Sequence, residues 1–300
     1  MLRQIAALVA PLLVLVSGFG AGQAEISTPP DAGAPLPPGL VSAEIAPGWQ
    51  DPDGRRTAAL KLVLDPGWKT YWRVPGEAGV PPSLDFSESE NLKNIEVIWP
   101  VPQAFDQNGM RSVGYLGGMV LPLRITPADP TRPVVLHLGL GIGICHDICV
   151  PADLVLSRTL DGPGAADATI SQALDAVPHR VDSAIAHCRI EPIADGMRVT
   201  ARIVLPGAGR KTGAGPAPSS GSAPPETARE TATLFELRSQ PMWTSDPVET
   251  RDGAVLEASA DFVPATPKPF DLDPGDLRIT VLGPGPEPSR AIEIDGCPAP

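Results

Sequence analysis

Hydrophobic residues recur along this chain in short runs with a period of two, the spacing of a half-buried strand. Val41-Ser42-Ala43-Glu44-Ile45 alternates, and Thr57 to Leu64 is a denser run that stops at Pro66-Gly67. Ile95 to Trp99, Val120 to Ile125 and Val134 to Leu140 follow, and Leu154 to Leu156 closes the series. Turn residues separate these runs, the pattern of an antiparallel sandwich. Ala168 to Ile185 reads as a helix that Pro178 breaks or kinks. Strand patterning returns at Met197 to Leu205, then at Thr233 to Leu237, Val255 to Ser259, Leu277 to Val281 and Ala291 to Ile294. The expected fold class is therefore all-β, a sandwich followed by a second, smaller β domain.

Between the first two strands of that second domain, residues 206–230 are rich in Gly, Ala, Pro and Ser. This composition predicts a disordered insertion. At the N-terminus Arg3 precedes an apolar stretch from Ile5 to about Val16, and small residues lead to Ala24, as in a secretory signal peptide. The expected organisation is a signal peptide at 1–24, a flexible segment at 25–40 and a sandwich over 41–165. A helical or linker segment at 166–190 and the second β domain over 191–300 complete it. The mature protein is expected to be soluble in the periplasm, where disulfides persist.

Composition narrows the function classes. The 30 glycines and 38 prolines in 300 residues leave little room for long amphipathic helices. A net charge of −12 argues against nucleic acid or an anionic membrane surface as a partner.

The chemistry-bearing feature is the run Gly143-Ile144-Cys145-His146-Asp147-Ile148-Cys149-Val150-Pro151. It falls where one strand-like run ends and another begins, which sets both cysteines at a hairpin tip, within disulfide reach of each other. A disulfide closed over so short a loop points to exchange chemistry before it points to a structural staple. Only a thiolate attacks, and His146 and Asp147 stand where they could tune one. Two thiolates and the His146 imidazole also suit Cu(I) or Zn(II), so a periplasmic copper-binding protein is a competing reading. A non-catalytic interaction module held by structural disulfides is another. Four cysteines allow three pairings. Keeping the close pair together joins Cys188 to Cys297 as a clasp on the second domain, with two free thiols or an intermolecular link from Cys297 as the alternatives.

The first half of the chain also carries an ordered set of motifs: Pro66-Gly67-Trp68-Lys69-Thr70-Tyr71-Trp72, Pro75-Gly76-Glu77-Ala78-Gly79, Trp99-Pro100, Gly114-Tyr115, Val120-Leu121-Pro122-Leu123 and the cysteine run. Over residues 40 to 160 this resembles the N-terminal periplasmic domain of the thiol:disulfide interchange protein DsbD, nearest to the variant in the copper-sensitivity suppressor ScsB. The resemblance implies an immunoglobulin-like sandwich whose cysteine pair shuttles between dithiol and disulfide, with no cofactor. It implies Cys149 as the thiol that forms the mixed disulfide and Cys145 as the resolving one. Phe105, in a cap loop over residues 102–109, and Tyr71 would line the pair. Periplasmic thiol oxidoreductases or disulfide isomerases would be the partners. The chain carries no multi-helix membrane segment and no thioredoxin-type Cys-x-x-Cys, so a separate membrane electron donor is expected.

Overall fold

Among the described residues, ten strands lie between Leu40 and Leu160. The structure is a computed structural model that describes residues 36–77, 79–107, 110–205, 232–283 and 291–299. The expected signal peptide, most of the 25–40 segment and the 206–230 insertion lie outside the described residues. The strands are β1 (Leu40–Gln50), β2 (Arg56–Leu64), β3 (Lys69–Tyr71), β4 (Ser83–Asp85), β5 (Leu92–Val97), β6 (Gln103–Gln107), β7 (Met110–Leu116), β8 (Gly118–Pro127), β9 (Val134–Cys145) and β10 (Cys149–Leu160). One sheet runs β1-β2-β8-β5 and the facing sheet runs β10-β9-β3-β7-β6, with β4 joined to β9 beyond the end of β3. Every pairing in this half is antiparallel.

Strand β9 explains how the sandwich is held. Its even positions, Val134 through Ile144, are all buried in the core with Leu60, Leu121, Leu123 and Ile125 of the facing sheet. Each such fully buried side chain contributes about 1.5–3 kcal/mol of transfer free energy. The odd positions of β9 include Gly139, Gly141, Gly143 and Cys145, and they face away from that core. One strand thus supplies a greasy inner face and a nearly bare outer one, on which other groups can lie close to the backbone.

The expected helix is shorter than its pattern. Helix α1 (Ala168–Asp175) starts at an Asp167 cap, whose carboxylate accepts from the Thr169 and Ile170 amides, and ends before Pro178. Proline has no amide to continue the ladder. His179–Val181 instead forms β11, which runs parallel to a C-terminal strand.

The second half is built from β12 (Ala186–Pro192), β13 (Met197–Val204), β14 (Ala232–Leu237), β15 (Trp243–Thr244), β16 (Val248–Asp252), β17 (Val255–Val263), β18 (Leu277–Leu282) and β19 (Ala291–Asp295). Its sheets run β11-β19-β18-β14 and β12-β13-β17-β15, with β16 also on β17. The insertion was expected to separate the first two strands of this half, and it does not. It follows three of them, because β11 and β12 form within the stretch read as helix and linker. β11 takes its order from β19, distant in sequence, whereas β12 forms a hairpin with β13.

The two sandwiches meet in a buried cluster. Trp72, Val101 and Val113 pack with Ala232, Leu234, Leu282 and Ala291. Ion pairs ring it. Arg73 reaches Glu236 at 2.8 Å and Glu293 at 2.7 Å, and Arg111 lies 3.8 Å from Asp246 and 3.7 Å from Glu249. Burial pushes the Glu236 carboxyl up from its ordinary value, against the pull of Arg73.

Candidate functional site

Cys145 ends β9 and Cys149 begins β10, and the two are register partners at the first rung of the hairpin. They are joined by a disulfide, with Cα atoms 4.1 Å apart. The intervening turn is only His146-Asp147-Ile148, closed by the His146 amide donating to the Ile148 carbonyl. The two sulfurs belong to very different surroundings. Cys145 is fully buried, whereas Cys149 is exposed beside an Ile148 that is itself 70% exposed.

Register places the rest of the site. Directly opposed residues on adjacent strands share a face, and so do residues two apart on one strand. Cys145 opposes Lys69, which opposes Leu116 on β7. One row along, Tyr71 opposes Gly114. The next row brings Ser112 opposite Phe105. Cys149, Cys145, Lys69, Tyr71, Ser112 and Phe105 therefore share the outer face of one sheet.

Strand β3 enters this face through the tight Pro66-Gly67 turn, where Gly67 has φ +83°, a conformation that favours glycine. Its residue Tyr71 reclines over Gly143, where a Cβ would sit 3.0 Å from the ring. The ring is 1% exposed, and the hydroxyl lies 3.0 Å from Cys149 Sγ and 3.1 Å from Cys145 Sγ. A disulfide has no proton to give, so the phenol is the donor in this state. Burial pushes the Tyr71 phenol up from its ordinary value, which keeps it protonated and able to donate.

Phe105 stands on a strand, not in a loop. Residues 103–107 are β6, hairpin partner of β7, because the Ala104-Phe105 stretch pairs with Ser112-Val113. The described ring contact of Phe105 is to the Lys69 ammonium, 5.1 Å from the ring centroid. His146 leans on Trp68, with ring centroids 5.8 Å apart, and its Nδ1 is 3.0 Å from the Asp147 carboxylate. Cys188 and Cys297 form a second disulfide, with Cα atoms 5.5 Å apart, in the core of the other sandwich. Among the described residues no group of three or more His, Cys, Asp or Glu side chains is arranged to hold a metal ion. Nor is any described helix long and apolar enough to cross a membrane.

One family is similar to the segment that forms the first sandwich. Residues 39–160 match the family described as thiol:disulfide interchange protein DsbD, N-terminal. The match covers the resemblance carried by the motifs and stops where the first sandwich ends. Among solved structures, the chain is similar to the N-terminal periplasmic domain of ScsB from Proteus mirabilis. The TM-score is 0.54 at 22% identity, over 86% of this chain and 91% of that one. At that identity the likeness is one of fold, and it extends beyond the DsbD-type segment into the second sandwich. No curated protein matches the chain.

Sequence reasoning passed over Lys69 and Ser112. Both are buried on the cysteine face, and Lys69 Nζ donates to Ser112 Oγ at 3.2 Å. A lysine in an alternating strand ordinarily marks the solvent side. Its one distinguishing signal was its place in the Trp68-to-Trp72 motif.

Proposed function

We propose that this protein is a periplasmic thiol–disulfide exchange module that passes reducing equivalents through Cys145 and Cys149 to partner proteins. The observation that carries the reading is the asymmetry of the pair, one sulfur exposed at a hairpin tip and its bonded neighbour buried under Tyr71. In the reduced protein the Cys149 thiolate attacks a partner disulfide. A Cys149–partner S–S bond forms, the partner's own S–S bond breaks, and one partner sulfur leaves as a thiolate. The Cys145 thiolate then attacks Cys149 Sγ. The intramolecular disulfide closes and the second partner sulfur departs with its electron pair. Two electrons pass from this chain to the partner, which ends as a dithiol. The Tyr71 hydroxyl, in reach of both sulfurs, donates to whichever one carries charge.

The DsbD-type match supports partners that are themselves thiol oxidoreductases or disulfide isomerases. A membrane protein supplies the electrons. Equilibration with glutathione or dithiothreitol buffers tests the reading. A pair poised between about −120 and −270 mV supports exchange, and a disulfide that stays closed below about −300 mV overturns it. Cys145→Ser should accumulate mixed disulfides through Cys149, and Cys149→Ser should not.

A further inference from the structure

Strand β10 is twelve residues long and stands at the edge of its sheet, with β9 on one side only. Its first residue is Cys149, the exposed sulfur of the pair. The Cα atoms of Cys145 and Cys149 lie 4.1 Å apart, the close spacing of facing residues that exchange no ladder hydrogen bonds. Alternation then turns the backbone N–H and C=O groups of Cys149, Asp153, Val155 and Ser157 away from β9, toward the open edge. Pro151 falls in the same series, where a proline removes no donor from the ladder. Among the described residues no other segment pairs with this edge between Cys149 and Ser157. The edge is also apolar. Val155 is 57% exposed, and Leu154 and Leu156 are only partly covered at the margin of the core.

We propose that the open edge of β10 takes an extended segment of the partner protein as an added antiparallel strand, with the partner's reactive cysteine directly opposite Cys149. The inference rests on the exchange reading of the cysteine pair, in which the partner sulfur must arrive at Cys149. An unpaired strand edge is a template for such addition, through main-chain hydrogen bonds that any extended sequence can make. Every pairing in this sandwich is antiparallel, and an antiparallel neighbour sets residues face to face. Facing Cα atoms ~5.5 Å apart are within disulfide reach. The partner sulfur then completes a row of three, beside Cys149 and Cys145, on neighbouring strands and one face of the sheet. Displacement at sulfur runs along the bond being broken, so that row is the course the resolving step needs. The Cys145 thiolate attacks Cys149 Sγ from one side and the Cys145–Cys149 bond forms. The Cys149–partner bond breaks on the other side, and the partner sulfur leaves as a thiolate.

Register also fixes the chemistry of the segment. The residue four positions before the partner's cysteine would face Asp153, and the residue six before it would face Val155, both on the cysteine side of the sheet. Asp153 is exposed, and the residues in its row on β9 and β4 are Gly141 and Ser83, neither of them a cation. Asp85 adds a second exposed carboxylate in the next row, opposite Gly139. Arg158 stands on the other face of β10. The occupant that fits is therefore an extended segment with a lysine or arginine four residues before its cysteine and an apolar residue six before it.

The deciding experiment uses Cys145→Ser in the full chain, which leaves Cys149 to capture a disulfide and stop there. Short peptides ending in cysteine carry a chromogenic thiol on that sulfur. Release of the chromophore gives the capture rate, read relative to a small disulfide bearing the same chromophore. A peptide with lysine four and valine six residues before its cysteine should react roughly threefold to tenfold faster than the version with glutamate for lysine. Asp153→Asn should remove most of that preference. N-methylation of the amides two and six residues before the cysteine, which face β10, should slow capture about tenfold. Methylation three and five residues before it, on amides that face away, should not. Val155→Pro, which takes a donor from the open edge and none from the β9 ladder, should also slow peptide capture relative to the small disulfide. Equal effects of the two methylation patterns, or equal rates for the lysine and glutamate peptides, overturn the proposal. So does a free protein that sediments as a dimer and becomes monomeric in Val155→Pro, because the edge then belongs to a second copy. The methylated peptides need only Cys145→Ser, so a Val155→Pro protein that fails to fold leaves the test intact. Failure of the exchange reading registers separately, as a wild-type disulfide that resists reduction whichever peptide is offered.

Discussion

The Tyr71 hydroxyl oxygen sits 3.0 Å from Cys149 Sγ although 78 residues separate the two in sequence. The contact exists because Gly143 leaves the outer face of β9 bare and the ring lies down across the gap. Tyr71→Phe keeps the ring and removes only the donor. It should leave the fold intact and slow exchange with a model disulfide about threefold to tenfold, the effect of one hydrogen bond worth ~0.5–1.5 kcal/mol. Stopped-flow reduction of a chromogenic disulfide measures this, and an unchanged rate would remove Tyr71 from the chemistry.

Arg73 stands two residues beyond Tyr71 and binds Glu236 and Glu293 of the other sandwich. Its guanidinium also stacks 3.9 Å from the Trp72 ring centroid. Arg73→Ala removes the ion-pair partner of the enclosed Glu236 carboxylate, while Glu293 keeps Arg180 and Arg278, and should cost about 3 kcal/mol in chemical denaturation. Pairing it with Glu236→Gln should recover part of the loss. Strict additivity of the two changes would mean that the ion pair contributes nothing.

Cys188 and Cys297 close a loop with a sequence separation of 109, and both are buried. Replacing both by alanine should destabilise the protein by about 2–5 kcal/mol. In a graded dithiothreitol titration followed by alkylation and peptide mapping, Cys145 and Cys149 should label before this pair. Simultaneous labelling would contradict the division between an exchangeable and a structural bond.

Asp167 caps α1 and accepts from Lys61 Nζ at 2.7 Å. That bond, with the cap's own donors, holds its carboxyl well below the usual carboxylate range. An acid depressed in the folded state contributes stability that is present above its unfolded value near ~3.9 and lost as pH falls through the folded one. Asp167→Ala should therefore cost about 1 kcal/mol at neutral pH. The difference should shrink as the solution is made strongly acid, and a pH-independent difference would exclude the charge.

Much of the site was legible in the sequence because local patterns carried it. Alternation on both sides of the cysteines set them opposite one another at a hairpin tip, and the motif around Tyr71 marked that residue. What escaped depends on chain segments that meet only in the fold. β3 is three residues long, too short to display a period. Lys69 reads as a surface residue until the β6–β7 hairpin places Phe105 and Ser112 beside it. The Phe105 segment was expected as a loop because the resemblance implies a cap there, whereas its backbone pairs with β7. β11 follows Pro178 and has its partner more than a hundred residues away, so nothing in its neighbourhood announces it.

The hairpin that carries Cys145 and Cys149 is zipped by twelve register pairs, from Cys149 opposite Cys145 down to Leu160 opposite Val134. The sulfur bridge is only its outermost rung. Eleven further rungs and the apolar inner face of β9 hold the hairpin besides the bridge. In the proposed exchange role the protein would alternate between its two oxidation states with that skeleton in place. A visiting partner would meet nearly the same surface before and after the electrons move, and would have to tell a charged carrier from a spent one at the exposed sulfur alone.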